Sequence, residues 1–323
     1  MILDQTVLFL CFLLISFIYL QIGRKLHIID KPNHRSSHTK VTVRGGGIIF
    51  PIAAVIWWVI SGFQDTFMIL GLFLISVISF WDDIQSLSRK FRFLMQFVAL
   101  SLGFYQLDLF SQMDWYLLPI FYFIALGIIN AINFMDGING ISGLYGLVFF
   151  SSLLAVQSYL PIFQSQLIQY EILALCVFLL FNLRKRALMF AGDVGSISLA
   201  YLIIYFLTQW YLEVGKWSII LLLLIYGVDV VLTMVRRYRK GEKLSEPHRS
   251  HLYQILANEF KISHVLISLG YAALQLLINY LFFIQTKSYP SPLVASILLI
   301  GTGIAYLLFR HLISSRLSPT DSK

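Results

Sequence analysis

Charge is what this chain has least of. Only 12% of its 323 residues are Asp, Glu, Lys or Arg, where a soluble globular chain carries about 25%. Hydrophobic residues make up 58% and the mean hydropathy is +0.79, so there is too little polar surface to clothe a water-soluble body. Cysteine is nearly absent. Cys11 and Cys176 both fall inside apolar runs, which excludes a disulfide framework and leaves buried, inert thiols as the expectation. No internal repeat or low-complexity segment divides the chain, so a single domain over 1–323 is expected. Acidic residues are the scarcer sign, 16 against 24 basic, for a net charge of +8. That excess does not point to nucleic acid, because no soluble basic domain exists to bind it.

What is present is a succession of apolar runs. A span needs roughly 20 residues, and the pattern predicts eleven helices, near 6–23, 46–62, 66–81, 92–107, 115–133, 140–160, 169–183, 194–212, 217–235, 263–284 and 291–309. An odd count places the N-terminus outside and the C-terminus inside. The first run is preceded by Asp4 rather than Lys or Arg, and no small-residue cleavage site follows, so it reads as a retained span. The inside loops are then 24–45, 82–91, 184–193 and 236–262, with the tail from Arg310. Together with Arg92 at the foot of the helix that follows 82–91, they hold every one of the 24 Lys and Arg residues except Lys216 and Lys287. The outside loops 63–65, 108–114 and 213–216 are short and carry Asp65, Asp108, Asp114 and Glu213. By the positive-inside rule the basic face is cytoplasmic, and it also attracts anionic lipid.

The chemically capable residues crowd that same face. Asp82 and Asp83 sit side by side at the foot of a helix, with Lys90 and Arg92 following; such carboxylates persist near a membrane where a cation or water meets them. Asn130, Asn133 and Asp136 are three apart, so they share one sector of a helix. Asn139 follows, and Gly137, Gly140 and Gly143 allow a turn or close approach. Asp193, between Gly192 and Gly195, is either a helix cap or a hard oxygen ligand. His248, Arg249 and His251 open a further helix with one mainly apolar side; no Cys or third His is nearby for zinc, and the cations suit pyrophosphate. Arg44-Gly45-Gly46-Gly47 is either an amide cradle for phosphate or a flexible start to the second helix. Asp229 lies inside the ninth helix and needs a basic partner or polar cavity.

In this order, Asp82-Asp83, Asn130-x-x-Asn133-x-x-Asp136-Gly-x-Asn139-Gly, Gly192-Asp193-x-Gly195-Ser196 and a late Arg/His loop, the chain resembles the polyprenyl-phosphate N-acetylhexosamine-1-phosphate transferases of the WecA/MraY superfamily. The likeness runs from Asp30 to His251. One such motif alone says little; all four in order on one face are specific. The resemblance implies an all-α polytopic membrane bundle of ten or eleven helices with a cytoplasmic cleft and a lipid groove. It implies transfer of a sugar 1-phosphate from a UDP-N-acetylhexosamine to undecaprenyl phosphate, with release of UMP, dependent on Mg²⁺ with Mn²⁺ as substitute. Asp193 then binds the metal with Asn133 beside it. Asn139 and Phe190 contact uracil. His248, Arg249 and Lys40 surround the nucleotide sugar, and Asp82, Asp83, Lys90, Asp136, Arg249 and His251 form the catalytic set. The setting implied is the bacterial inner membrane, with a homodimer as an admissible assembly.

Two departures bear on the substrate. Where the enterobacterial-type pattern ends in His-x-His-His, this chain has Tyr253 and Gln254 in the last two places, which resembles the WbpL-type enzymes that initiate O-antigen, often with 6-deoxy N-acetylhexosamines. The triple-His run of the muramyl-pentapeptide transferases is absent, so a peptidoglycan precursor is not expected. The rival readings are a transporter or lipid flippase, which should place polar residues near the midplane in repeated halves, and a polyprenyl-diphosphate phosphatase, which has no use for a base-binding pair such as Phe190 and Asn139.

Overall fold

The computed structural model describes residues 4–32, 37, 40–244, 246 and 248–315. Parts of the 24–45 loop, Pro247 and the tail beyond 315 lie outside the described residues. The long helices are α1 (Gln5–Lys25), α2 (Ile49–Ile60, entered through a 3₁₀ turn at Gly46–Ile48), α3 (Thr66–Ile84) and α4 (Arg89–Gln106). After the single turn α5 (Leu109–Gln112) come α6 (Leu118–Met135), α7 (Ile141–Val156), α8 (Ser165–Asn182) and α9 (Gly192–Val214). A 3₁₀ stretch at Trp217–Leu223 leads into α10 (Leu224–Arg239). Short α11 (Leu252–Asn258) precedes α12 (His264–Asn279), which relaxes into a π turn at Tyr280–Ile284, and α13 (Pro292–Ser314) closes the chain. A two-residue ribbon, β1 (Ile29–Asp30) against β2 (Thr42–Val43), is the sole sheet among the described residues. Each of the eleven apolar runs is thus a helix. Eight are long and apolar enough to cross a membrane, whereas Gly46–Ile60 and Ile141–Val156 are shorter. The protein is a multi-pass, all-α membrane bundle.

Helix α9 is its axis. Every residue from Val194 to Thr208 is buried, and α9 packs against α2, α3, α4, α6 and α7. A helix enclosed on all sides must satisfy its polar side chains internally. Ser198 shares a hydrogen bond with Ser76 at 2.9 Å, and Tyr201 donates to the Met68 carbonyl at 3.0 Å. Glycine at 71 makes room for that phenol, since a Cβ there would lie 2.3 Å from the Tyr201 oxygen. By contrast α13 lies at the rim, with Ile297, Ile300 and Leu308 exposed toward what must be lipid. Cys11 is likewise exposed, on the outer face of α1, so one of the two thiols expected to be buried faces outward. That is the consequence of a bundle whose exterior is as apolar as its core.

Where the 3₁₀ stretch passes into α10, backbone groups lose their helical partners. Gln275 of α12 supplies them, accepting from the Ile225 amide at 3.0 Å and donating to the Leu221 carbonyl at 2.9 Å. Its carbonyl also accepts from Tyr145 at 2.7 Å, and Asn279 links onward to Ser152. Side-chain amides inside a membrane bundle serve in this way as replacements for absent water.

Two stretches of backbone approach closely at Gly47 and Gly195. A Cβ on Gly47 would meet the Gly195 Cα at 2.3 Å, and one on Gly195 would meet the Gly47 Cα at 2.7 Å. Gly46 and Gly47 donate their amides to the carbonyls of Phe190 and Ala191 at 2.8 and 3.0 Å. Those amides are therefore spent within the protein. The glycine run is a splice between the start of α2 and the start of α9 rather than a phosphate cradle. Overpacking costs about 1–3 kcal/mol even where neighbours can yield, and here the neighbour is backbone. Gly195→Ala should therefore lower the melting temperature in detergent clearly, whereas Gly227→Ala, with nothing near its Cβ position, should not. Equal melting temperatures would disprove the splice.

Candidate functional site

Successive helices alternate in direction, so the C-terminal ends of α3, α6, α8, α10 and α13 meet the N-terminal ends of α2, α4, α7, α9 and α12 at one end of the bundle. Hydrogen bonds there join Asp83 to α9, Asn133 to Asp193, Asn182 to Gly140, and Arg310 to Ser250. The polar residues singled out in the sequence meet there because of this alternation.

At the centre is the start of α9, where the leading amides of a helix have no intrahelical partner. The residue before the helix, Ala191, makes no side-chain cap. Asp83 from α3 does this instead, accepting from the Asp193 amide at 2.9 Å and the Val194 amide at 3.1 Å. Gly192, at φ 73°, brings the backbone within reach; a Cβ there would lie 2.5 Å from the Asp83 carboxylate. Asp83 is also paired with Arg44 Nε at 2.6 Å. Arg44 turns its other arm to Asp193 Oδ1 at 3.0 Å, and Arg92 reaches Asp193 Oδ2 at 3.5 Å and Asp82 at 2.5 Å. Asp82 further accepts from the Leu87 amide at 2.6 Å. The two adjacent carboxylates thus have different partners: Asp83 caps a helix, and Asp82 ties the loop before α4 at Leu87 to Arg92 in the first turn of α4.

Asn133 donates to Asp193 Oδ1 at 3.2 Å and to Ser196 at 3.0 Å. Two cavities adjoin this pair. One, of about 330 Å³, is lined by Asp136, Asn139, Asn182, Phe190, Gln254 and His264, together with Asp193 and Asn133. The other, of about 660 Å³, is lined by Arg89, Arg92, Phe93, Asn130, His248 and His251, again with Asp193 and Asn133. Phe93 is exposed on the bundle surface, so the second cavity runs outward along α4. A larger apolar groove of about 830 Å³ lies between α10, α12 and α13, away from these charges.

The remaining expected residues are placed as follows. Asn139 is buried and donates its amide to the Arg184 carbonyl at 2.7 Å, anchoring the loop beneath Phe190. His248 and His251, expected on one helix face, have ring centroids 4.9 Å apart, yet they precede α11 rather than lie on it. Lys90 is exposed and lines neither cavity; Arg89 and Arg92 from the same turn do. Lys40 is exposed and also outside both. Arg249 pairs with Glu259 at 3.3 Å and lines neither. Of the altered pair, Tyr253 is fully buried, donating to the Phe134 carbonyl at 2.8 Å against Gly137, while Gln254 lines both cavities. Sequence reasoning treated Arg44 only as part of a glycine loop. Its place just before three glycines, opposite an Asp pair, was the available signal.

The donor set suits a hard divalent cation. Among the described residues no group of three His, Cys, Asp or Glu side chains could hold one alone. However, Asp193 has an amide oxygen of Asn133 beside it once the side-chain amide is turned, and the cluster of Asp82, Asp83 and Asp193 holds three carboxylates against the two guanidiniums of Arg44 and Arg92. Mg²⁺ takes one or two protein carboxylates and completes its shell with water and substrate phosphate.

Fold and cavities together define a multi-pass membrane protein with a charged cleft of two adjoining cavities at one end of its bundle. Residues 66–211 match the glycosyl transferase family 4 pattern. The chain is 30% identical over 273 residues, covering 78% of its length and 75% of the relative's, to a protein of Bacillus subtilis (strain 168) named a probable undecaprenyl-phosphate N-acetylglucosaminyl 1-phosphate transferase. The chain belongs to glycosyl transferase family 4, the polyprenyl-phosphate sugar-1-phosphate transferases of the WecA/MraY type.

Two groups flanking Asp193 titrate in opposite senses. Burial pushes the Asp136 carboxyl up from 3.8 to about 6, with Asp193 adding and Arg44 opposing. Burial pushes His248 down from 6.5 to about 4, helped by His251 and Arg237. Folded Asp136 holds its proton more tightly than the unfolded chain, so its contribution falls as pH rises through 4 to 6; folded His248 holds its proton less tightly, so its contribution rises from 4 to 6.5. In metal-free protein Asp136→Asn should make the melting temperature climb more steeply over pH 4–6.5, and His248→Gln should flatten or reverse that climb. Wild-type slopes in both variants would contradict these environments.

Proposed function

We propose that this enzyme transfers an N-acetylhexosamine 1-phosphate from a UDP-sugar to undecaprenyl phosphate at the cytoplasmic face of the bacterial inner membrane, releasing UMP and starting a cell-envelope glycan such as O-antigen. The observation that carries the reading is the meeting of two polar cavities at Asp193 and Asn133. One is built for a base and its phosphates, with Phe190 and Asn139 at its far side. The other combines Arg89 and Arg92 with the outward-facing Phe93, as an acceptor with a charged head and an apolar tail requires.

The acceptor is a phosphate monoester, whose second pKa of about 6 leaves it largely dianionic at neutral pH. No strong base is needed. An acceptor oxygen forms a bond to the β-phosphorus as the bond from that phosphorus to the bridging oxygen breaks, and UMP departs with the electron pair. The chain's work is positioning and charge neutralisation, as in other phosphoryl transfers. Arg92 holds the acceptor phosphate, Arg44 faces the diphosphate in the place expected of Arg249, and His251 borders the reacting oxygens. Asp83 acts on the reaction only by holding the α9 start and Arg44. Bound through Asp193 and Asn133, Mg²⁺ would supply charge neutralisation at the diphosphate. The name of the Bacillus relative makes UDP-N-acetylglucosamine the first donor to test. Its 6-deoxy counterparts follow, because the Tyr253-Gln254 departure reaches the cavities through Gln254 alone.

Asp193→Asn should abolish UMP release from UDP-N-acetylglucosamine and undecaprenyl phosphate while leaving the melting temperature near wild type, since an amide keeps the shape and loses the charge. Near-normal turnover at low Mg²⁺ would refute the metal assignment. Phe190→Ala should weaken UMP inhibition by about 1–3 kcal/mol, the worth of a stacked base, with little change in the acceptor KM. Arg92→Ala should raise the acceptor KM and leave UMP inhibition nearly intact, with Lys90→Ala milder than Arg92→Ala. Reversed assignments in these two assays would exchange the cavities.

A further inference from the structure

His251 is 1% exposed and lines the second cavity. Its Nδ1 lies 3.2 Å from Asp229 Oδ1, and its Nε2 has no hydrogen-bond partner. With one ring nitrogen engaged by the carboxylate, the other is buried and unpartnered in a residue that borders the cavity. The carboxylate itself is held from three helices. Asp229 Oδ1 also accepts from the Leu252 amide at 3.1 Å, Tyr306 of α13 at 3.0 Å and Thr233 of α10 at 3.2 Å, and its Oδ2 accepts from Tyr271 of α12 at 2.7 Å. Arg310 of α13 braces the outer side, donating to Tyr306 at 2.6 Å, to Thr233 at 3.0 Å and to the Ser250 carbonyl at 2.6 Å.

Those donors satisfy the carboxylate and hold it in one place. A purely structural pair does not explain a buried imidazole whose second nitrogen has no partner, in a residue bordering the cavity that also holds Arg92 and Asp193. We infer that Asp229 is a positioning residue: it fixes the His251 ring with the proton on Nδ1 and supports positive charge on it, so that Nε2–H donates to a substrate phosphate oxygen. This deepens the transferase reading and rests on it. The same network makes the peripheral helix α13 part of the catalytic support, because Tyr306 and Arg310 reach the histidine loop only from there.

The test measures kcat and the UDP-N-acetylglucosamine KM of the full-length chain in detergent, with undecaprenyl phosphate as acceptor, for Asp229→Asn, His251→Gln and the double variant. Removing the partner that orients a functional histidine costs about 10- to 100-fold in activity. That loss is expected in kcat for Asp229→Asn, with KM changing much less, and the double variant should be no slower than His251→Gln alone. Losses that multiply in the double variant would mean Asp229 serves the fold and not His251. Wild-type kcat in a folded Asp229→Asn protein, judged by monodisperse elution and melting temperature, would overturn the inference, as would full activity of His251→Gln. If Asp229→Asn does not fold, Tyr306→Phe decides: a smaller loss of kcat in the same direction supports the inference, and an unchanged kcat overturns it. Absence of UMP release by the wild-type enzyme with every UDP-N-acetylhexosamine would instead overturn the transferase reading itself.

Discussion

The cleft depends on how the buried start of α9 is satisfied. Its first amides point into the protein where water cannot serve them, and an unpartnered buried donor costs about 1–3 kcal/mol. Asp83 meets that need from another helix. Having brought a negative charge into a closed space, it requires Arg44, and Arg44 in turn reaches Asp193. The position of the central carboxylate is thus a consequence of capping. Only glycine at 47, 192 and 195 lets these two stretches of backbone and the Asp83 carboxylate come close enough for this to happen.

From that junction the two cavities diverge, and their linings differ in kind. One has an aromatic ring, buried amides and Asp136; the other has guanidiniums, imidazoles and an aromatic residue on the outer surface. A carboxylate shared between unlike cavities suits the proposed transfer between a nucleotide and a lipid, since the two carriers can occupy separate spaces that meet at one point. The histidine loop forms one wall of this space. Its packing against α10, α12 and α13 ties the last third of the chain to a site whose central carboxylate comes from α9.

Much of this was legible in the order of residues. Eleven helices follow from eleven apolar runs, because a chain in lipid must close its backbone hydrogen bonds within each span. The clustering of Asn130, Asn133 and Asp136 follows from helical spacing, and Asn133 does meet Asp193. Less legible were residues whose role depends on a distant partner. Arg44 gave no periodic signal, and its ion pairs join it to residues 39 and 149 positions away. Lys90 and Arg92 are two residues apart in sequence, yet helix geometry turns only the arginine into the cleft. The paired departures Tyr253 and Gln254 looked equivalent; packing against Gly137 buries one and leaves the other lining both cavities.

What the sequence by itself determined was the membrane class, the succession of eleven helices and the end of the bundle at which the polar residues gather. These are set by hydropathy and by the placement of charge, which are local properties summed along the chain. What only the tertiary structure decided was the division of labour among like residues: which aspartate caps and which lines both cavities, which arginine enters the cleft, and which histidine nitrogen is left unpartnered. Those outcomes depend on the directions of side chains from helices far apart in sequence, and they are settled by the need to pair every buried charge and amide where no water is available to do so.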